Sequence, residues 1–188
     1  MFLFGRKKLA IDCIPVACAF TGHRPQRFKF KYNENDPGCI ALKKALRNEI
    51  EALADQGVNY FISGMALGVD MWAAEIVLEL KKAGHNIKLE CAIPCENQDI
   101  KWADSSRRRY AAILRKADKI TYVSREYTPN CMLERNRYMV DNAKYIIAVY
   151  DGGNAGGTAA TVRYAQQKNI MAIVINPDTY EVVKNEKR

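Results

Sequence analysis

The chain holds 188 residues, 48% of them hydrophobic, with 29 Lys and Arg against 21 Asp and Glu, for a formal charge of +8. That apolar content suits one packed domain over residues 1–188, with a core from about 15 to 177, and neither an internal repeat nor a low-complexity tract argues for two. The positive balance favours anionic partners, but the basic residues fall into short clusters at 6–8, 24–31, 43–47, 107–109, 135–137 and 184–188, so no single polybasic run dominates.

In chain order, the apolar start at residues 1–4 is too short to cross a bilayer and precedes Arg6, Lys7 and Lys8, the reverse of a secretory signal. A cytoplasmic protein without a membrane partner is expected. Residues 14–20 read as a first strand. Leu42, Ala45, Leu46, Ile50, Leu53 and Ala54 then keep a 3.6-residue period and predict a helix that stops near Gly57. Residues 60–63 predict a second strand and 69–82 a helix. Strands at 87–93 and 119–123 enclose a helix carrying Tyr110, Ile113, Leu114 and Ala117. Leu133, Asn136, Met139, Val140 and Ala143 mark another helix, followed by a strand at 145–150, a helix at 159–167 and a strand at 170–175. This alternation predicts an α/β three-layer sandwich, with a mostly parallel sheet of about six strands flanked by helices.

Such sheets bind ligands beyond the carboxyl ends of their strands, so the segments 21–25, 63–66, 94–98 and 151–158 are expected to converge. Ser63, Gly64, Met65, Ala66, Gly68 and Asp70 join a strand to a helix. Gly64 is read as letting the chain turn, and Gly68 as permitting close approach. The free N–H groups and positive dipole end of that helix suit an anion. In the first loop Gly22 frees the backbone while His23 and Arg24 meet phosphate oxygens, Arg24 as a bidentate fork; the alternative is that Arg24 and Pro25 only shape an exposed turn. Asp151, Gly152, Gly156, Gly157 and Thr158 form either a second anion nest or a helix cap.

Several side chains keep two readings. Asp70 either satisfies N–H groups of the first helical turn or accepts ribose hydroxyls. Glu75 either holds Arg24 or Arg135 in place or is a solvated helix residue. Trp72 is assigned to the core, whereas Trp102, following Pro94, Asn97, Gln98 and Asp99, stacks on a base or packs inside. The six cysteines (13, 18, 39, 91, 95, 131) are scattered and expected to be reduced, and no metal site is expected from their spacing or from His23 and His85. Cys95 is read as a buried bystander thiol.

Taken together, Thr21-Gly-His-Arg24, Ser63-Gly-Met-Ala-Leu-Gly-Val-Asp70 with Trp72-Ala-Ala-Glu75, Ala92-Ile-Pro94, Glu134-Arg-Asn-Arg-Tyr-Met-Val-Asp141 and the glycine loop ending in Thr158 resemble the YpsA-like proteins. These belong to the SLOG superfamily, with the DNA-processing protein DprA and the LOG phosphoribohydrolases. The resemblance runs from about residue 15 to 177. It implies a Rossmann-like fold and a pocket for a nucleotide or nucleotide-derived ligand, including an ADP-ribose-like one, with no cofactor firmly implied.

LOG enzymes carry a Glu-Arg-Lys-x-x-Met helix, which Glu134, Arg135, Asn136 and Met139 resemble, and a Pro-Gly-Gly-x-Gly-Thr-x-x-Glu loop. Here the loop is longer, lacks the proline, and has Thr161 where the final glutamate would stand. A threonine cannot act as a carboxylate, so hydrolysis of an N-glycosidic bond would use Arg135 with Glu75, Asp70 or Glu96 as substitute, and the enzyme reading is discounted. The leading expectation is ligand binding or sensing, coupled to a protein partner or to self-association. The alternatives are a LOG-like hydrolase and a DprA-like single-strand nucleic-acid binder using Arg107, Arg108 and Arg109, with Trp102 or Tyr110 as stacking surface. Helical phase directs Tyr110 to the core.

Overall fold

The computed structural model describes residues 16–185. Residues 14 and 15 of the first predicted strand, the basic cluster at 6–8, Cys13 and the end of the 184–188 cluster lie outside the described residues.

Seven strands form one sheet: β1 (Ala17–Gly22), β2 (Tyr60–Ser63), β3 (Lys88–Ile93), β4 (Lys119–Tyr122), β5 (Tyr145–Val149), β6 (Met171–Ile175) and β7 (Val182–Asn185), in the order β4-β3-β2-β1-β5-β6-β7. The first six strands are parallel; β7 runs antiparallel to β6. The helices are α1 (Pro37–Asp55), α2 (Val69–Lys82), α3 (Asp104–Leu114), α4 (Cys131–Asp141) and α5 (Gly157–Gln167), with a short 3-10 turn at Pro25–Arg27. This is the α/β three-layer sandwich expected from the alternation and the Rossmann-like fold that the resemblance implies, with one strand more than expected. The segment forming β7 has only two apolar residues and no periodicity. It becomes a strand because Asn176 Oδ1 accepts from the backbone N–H of Asp178 (2.8 Å) and Thr179 (3.2 Å), and this turn folds the chain back along β6.

Period-two alternation sends the two faces of β1 into different layers. Cys18 and Phe20 join the large core under α1, α2 and α3, with Leu42, Leu46, Ile50, Phe61 and Leu89, and the Phe20 and Phe61 rings stack at 5.9 Å. Each fully buried Leu or Ile there contributes about 2 kcal/mol of transfer free energy. Ala17 and Ala19 face the other way, with Ile62, Ala92, Met139 and Ala143. Small residues on that face let α4 lie close to the strands. α1 starts as its sequence dictates: Asp36 Oδ1 accepts from Gly38 N (2.7 Å) and Pro37 occupies the first turn.

Two carboxylates brace this frame. Glu90, buried on β3, accepts from the Tyr60 hydroxyl (2.7 Å), Thr121 Oγ1 (2.6 Å) and the Tyr138 hydroxyl (2.7 Å), with Lys119 Nζ 3.2 Å away. Glu34, in the turn before α1, binds Trp72 Nε1 (2.8 Å) on α2, Arg109 Nη1 (2.5 Å) on α3, and Lys43. Burial pushes the Glu34 carboxyl up, but the donors Arg109, Lys43 and Trp72 outweigh it and hold it at about 2. Because the folded value lies below the ordinary 4.5, the stabilisation is complete above that pH and is lost as pH falls toward 2. Glu34→Gln should therefore flatten the fall in melting temperature between pH 4.5 and 2.5 relative to the parent, followed by circular dichroism; parallel acid limbs would remove Glu34 from the account.

Candidate functional site

In this strand order the chain turns one way from β1 to β2 and the other way to β5, so the carboxyl ends of β1 and β5 border the switch point where open α/β sheets bind ligands. A cleft of about 350 Å³ opens there, lined by the β1 loop from Thr21 through Arg24 to Arg27, by Ala66 and Asp70, by Met132, Arg135 and Asn136 of α4, and by residues 155–158 at the start of α5. Its volume lies at the lower end of the range for ligand pockets.

The loops that meet there are built by close approach. Gly22 sits against α2: a Cβ on it would fall 2.5 Å from Val69 Cγ2. The turn expected of Gly64 falls to Gly68, which also keeps the close approach expected of it. Gly68 takes the positive φ (92°) and caps α2. Gly64 makes room for a side chain, since its Cβ would overlap Arg135 Nη1 and lie 2.8 Å from Asp70 Oδ2. Pro25 Cδ and the His23 carbonyl close over Gly68, so the start of α2 is roofed by protein. The helix N-terminus that faces the cleft belongs instead to α5, where Gly156 (φ 97°), Gly157 and Thr158 are exposed or half-buried.

At the floor lies Arg135, 4% exposed. Its Nη1 donates to the Gly64 carbonyl and lies 3.6 Å from Asp70 Oδ2, while Nε donates to Asn136 Oδ1 (2.9 Å). Asn136 Nδ2 donates to Thr161 Oγ1 (2.9 Å), which donates to the Gly157 carbonyl (2.8 Å). This chain of bonds fixes the guanidinium from α5 through α4 to the β2 loop. Asp70 Oδ2 accepts from Ala66 N (3.3 Å), and Ser63 Oγ donates to the Asp70 carbonyl (2.7 Å). Burial lowers the Arg135 pKa against the pull of Asp70, with the like charge of Arg24 adding to the depression; burial raises the Asp70 carboxyl against Arg135. Arg24 itself is exposed, and its side chain has no hydrogen-bond or ion-pair partner among the described residues.

On the far side, His23 Nε2 is buried and lies 3.1 Å from Asp151 Oδ1, off the hydrogen-bonding line and otherwise unpartnered. Asp151 is held at about 2 first by the Gly153 N–H (3.0 Å), then by His23 and Arg27. It borders an adjoining pocket rather than the main cleft, and Gly152 beside it is exposed with φ 85°.

Other expected residues are elsewhere. Glu75 points away from Arg24 and Arg135: both its oxygens accept from Arg109 at 2.5 Å, on the opposite helical layer. It lines a larger groove of 690 Å³ between α2 and α3 that contains none of the strand-end loops. The reason is helical phase, because Glu75 follows Asp70 by five residues and so leaves its face. Trp102 packs in a T-shaped pair with the buried Tyr110 at 5.4 Å and does not line the cleft. The 94–98 loop stands behind the β2 loop, with Gln98 Nε2 donating to the Met65 carbonyl (3.2 Å) and the Tyr110 hydroxyl (3.1 Å); Pro94 is buried and Asn97 exposed. Ser63, Gly64 and Met65 are buried beneath the cleft, Met65 with a positive φ of 57°. Sequence reasoning passed over Gln26, Arg27, Met132 and Ala155. Met132 was within reach, since it lies three residues before Arg135 on the same helix face.

Of the carboxylates considered as substitutes for a LOG-type glutamate, only Asp70 borders the cleft; Glu96 is exposed. In the 107–109 run, Arg107 pairs with Asp99 (3.2 Å) and Arg109 with Glu34 and Glu75. Among the described residues no group of three His, Cys, Asp or Glu side chains is placed to hold a metal, and no helix is long and apolar enough to cross a membrane.

The YpsA family model, described as the YspA SLOG family, matches residues 18–179. The chain belongs to this family. Similar relatives include a UPF0398 protein of Brevibacillus brevis, 35% identical over 139 residues (73% of this chain, 74% of the relative), and one of Bacillus thuringiensis, 29% identical over 177 residues (90% and 95%). Among solved structures, this YpsA-family chain is similar in fold to DprA from Streptococcus pneumoniae (TM-score 0.57, 15% identity, 86% of this chain and 50% of that one). It is also similar to DprA from Helicobacter pylori, described for its single-stranded DNA binding mode (0.58, 20%, 90% and 69%), and to TM1055 (0.51, 13%, 84% and 72%). The chain thus spans about half the length of the Streptococcus protein, and at these identities the likeness is one of fold.

Gly64→Ala should displace the Arg135 guanidinium and leave the Asp70 carboxylate buried without its partner, at a cost of about 3 kcal/mol in urea unfolding. A loss below about 0.5 kcal/mol would show that the contact is dispensable.

Proposed function

We propose that this YpsA-family protein binds a nucleotide or nucleotide-derived anion in the switch-point cleft, with the phosphate between Arg24 and the start of α5. The observation that carries this reading is electrostatic. Among the described residues, the cleft brings together three guanidinium groups, Arg135 buried, Arg24 without a side-chain partner and Arg27 paired with Asp151, and a single lining carboxylate, Asp70, beside the exposed N-terminus of α5. That arrangement has a positive surplus that an anion neutralises, and the bidentate forks match phosphate oxygens. Asp70, held beside Arg135, is placed to accept a ribose hydroxyl or an amino group of the ligand.

Binding without turnover is favoured by the placement of Thr161, whose buried hydroxyl is tied to Asn136 and Gly157 in place of a free carboxylate. Nucleic-acid binding is suggested by the DprA fold likeness, but two of the three arginines proposed for it are held in ion pairs on the protein itself. A cytoplasmic site of action fits the five free cysteines among the described residues.

Thermal-shift measurements with AMP, ADP, ADP-ribose and inorganic phosphate test the reading. At a hundredfold excess over Kd a true ligand should raise the melting temperature by about 5–10 °C. Arg24→Ala should abolish that rise and leave the unliganded melting temperature within about 1 °C, since an unpaired surface side chain contributes little to stability. A full rise in the variant would remove Arg24 from the site, release of free base during incubation would replace binding by hydrolysis, and a response to oligonucleotides alone, steep in salt, would replace it by nucleic-acid binding.

A further inference from the structure

Beneath the α4 wall of the cleft lie two thiols that the ligand reading does not use. Cys95 follows β3 directly, and Cys131 is the first residue of α4. Their sulfurs are 3.9 Å apart, with Cys131 Sγ donating to Cys95 Sγ, and the residues are 2% and 0% exposed. They are the one pair of described cysteines in such contact; Cys18, Cys39 and Cys91 pack in the large core on the other face of the sheet.

We propose that Cys95 and Cys131 form a reversible redox dithiol, whose disulfide ties the end of β3 to the start of α4. A bond between them requires the sulfurs to close by about 2 Å from their 3.9 Å contact. With hydrogen peroxide the step balances as two thiols plus one peroxide giving one disulfide and two waters. One thiolate sulfur attacks the peroxide O–O bond and becomes a sulfenic acid while water leaves; the second thiol attacks that sulfur and expels the other water. A dithiol reductant reverses the step by exchange.

The surroundings set the rate. Burial pushes the Cys95 thiol up, and the neighbouring Cys131 adds to the shift, so the thiolate fraction at neutral pH is small. The segment between β4 and α4 is exposed at Arg125, Glu126, Tyr127, Pro129 and Asn130, and its opening is the natural route of a small oxidant to the pair. The device answers sustained oxidation rather than a brief pulse. Cys131 adjoins Met132 and stands one helical turn before Arg135, so the bridge would lock the wall that carries both cleft residues.

The full-length native protein is incubated with hydrogen peroxide, unreacted thiols are alkylated under denaturing conditions, and the tryptic peptides are mapped without reduction. The expected product joins the peptide of residues 89–101 to that of 126–135, with fragment ions placing the bond on Cys95 rather than Cys91, and dithiothreitol separates them. The intact mass falls by about 2 Da and the melting temperature rises by about 8–15 °C, as closing a loop of this length predicts. Cys131→Ser, checked for native circular dichroism, loses the linked product and the rise. Singly alkylated Cys95 and Cys131 after prolonged exposure of the native protein, or a link that forms only in denaturant, would overturn the proposal. Neither readout involves the nucleotide, so failure here is separate from failure of the ligand reading.

Discussion

The candidate site depends on one buried cation. Arg135 is almost fully withdrawn from water, a state costing several kcal/mol unless every N–H direction is answered. The Gly64 carbonyl accepts from Nη1, Asn136 accepts from Nε and the Asp70 carboxylate lies 3.6 Å from Nη1, which leaves Nη2 without a protein partner among the described residues; these groups come from the β2 loop, the first turn of α2 and α4 itself. The guanidinium therefore fixes the relative position of three segments remote in the chain. Gly64 is glycine for this reason, because no Cβ fits beside the guanidinium.

From this follows the form of the cleft. The Arg135 bonds continue through Asn136 and Thr161 to the Gly157 carbonyl, so the start of α5 is registered against the same cation. The alanine-rich face of the sheet under α4 permits this, since Ala17, Ala19 and Ala92 let the helix lie near enough for Arg135 to reach Gly64. The opposite face is filled with Phe, Leu and Ile, and its helices are tied by a different ionic cluster, Glu34 with Arg109, Lys43 and Glu75. One helical layer therefore holds most of the apolar core while the other forms a wall of the cleft, and the Arg135–Asp70 pair joins α4 to α2 between them.

Much of the fold was legible in the amino-acid order. Period-two and period-3.6 patterns placed six strands and the helices to within a few residues, because local burial is written in hydrophobic spacing. β7 was not legible, since its pairing rests on a turn and a neighbour rather than on its own pattern. Of the four loops expected to converge, parallel topology brings 21–25, Ala66 and 155–158 to one cleft, whereas 94–98 stands behind the β2 loop and Asp151 borders an adjoining pocket. Glu75 and Trp102 were drawn into the site by proximity in sequence, yet a helix turns about 100° per residue, and a polar loop can fold back so that its aromatic ring packs inside.

Sequence alone determined the α/β alternation, the glycine-rich turns, the surplus of basic groups and the YpsA-like character, because each is carried by residue type at a fixed short spacing. Only the tertiary structure decided which glycine bends and which yields space, that α5 rather than α2 presents its open N-terminus, that Arg24 stays unpaired while Arg109 does not, and that Cys95 meets Cys131. These are relations between segments dozens of residues apart, set by the crossing of α4 over small side chains and by the need to satisfy a buried charge. Spacing along the chain does not encode such distances.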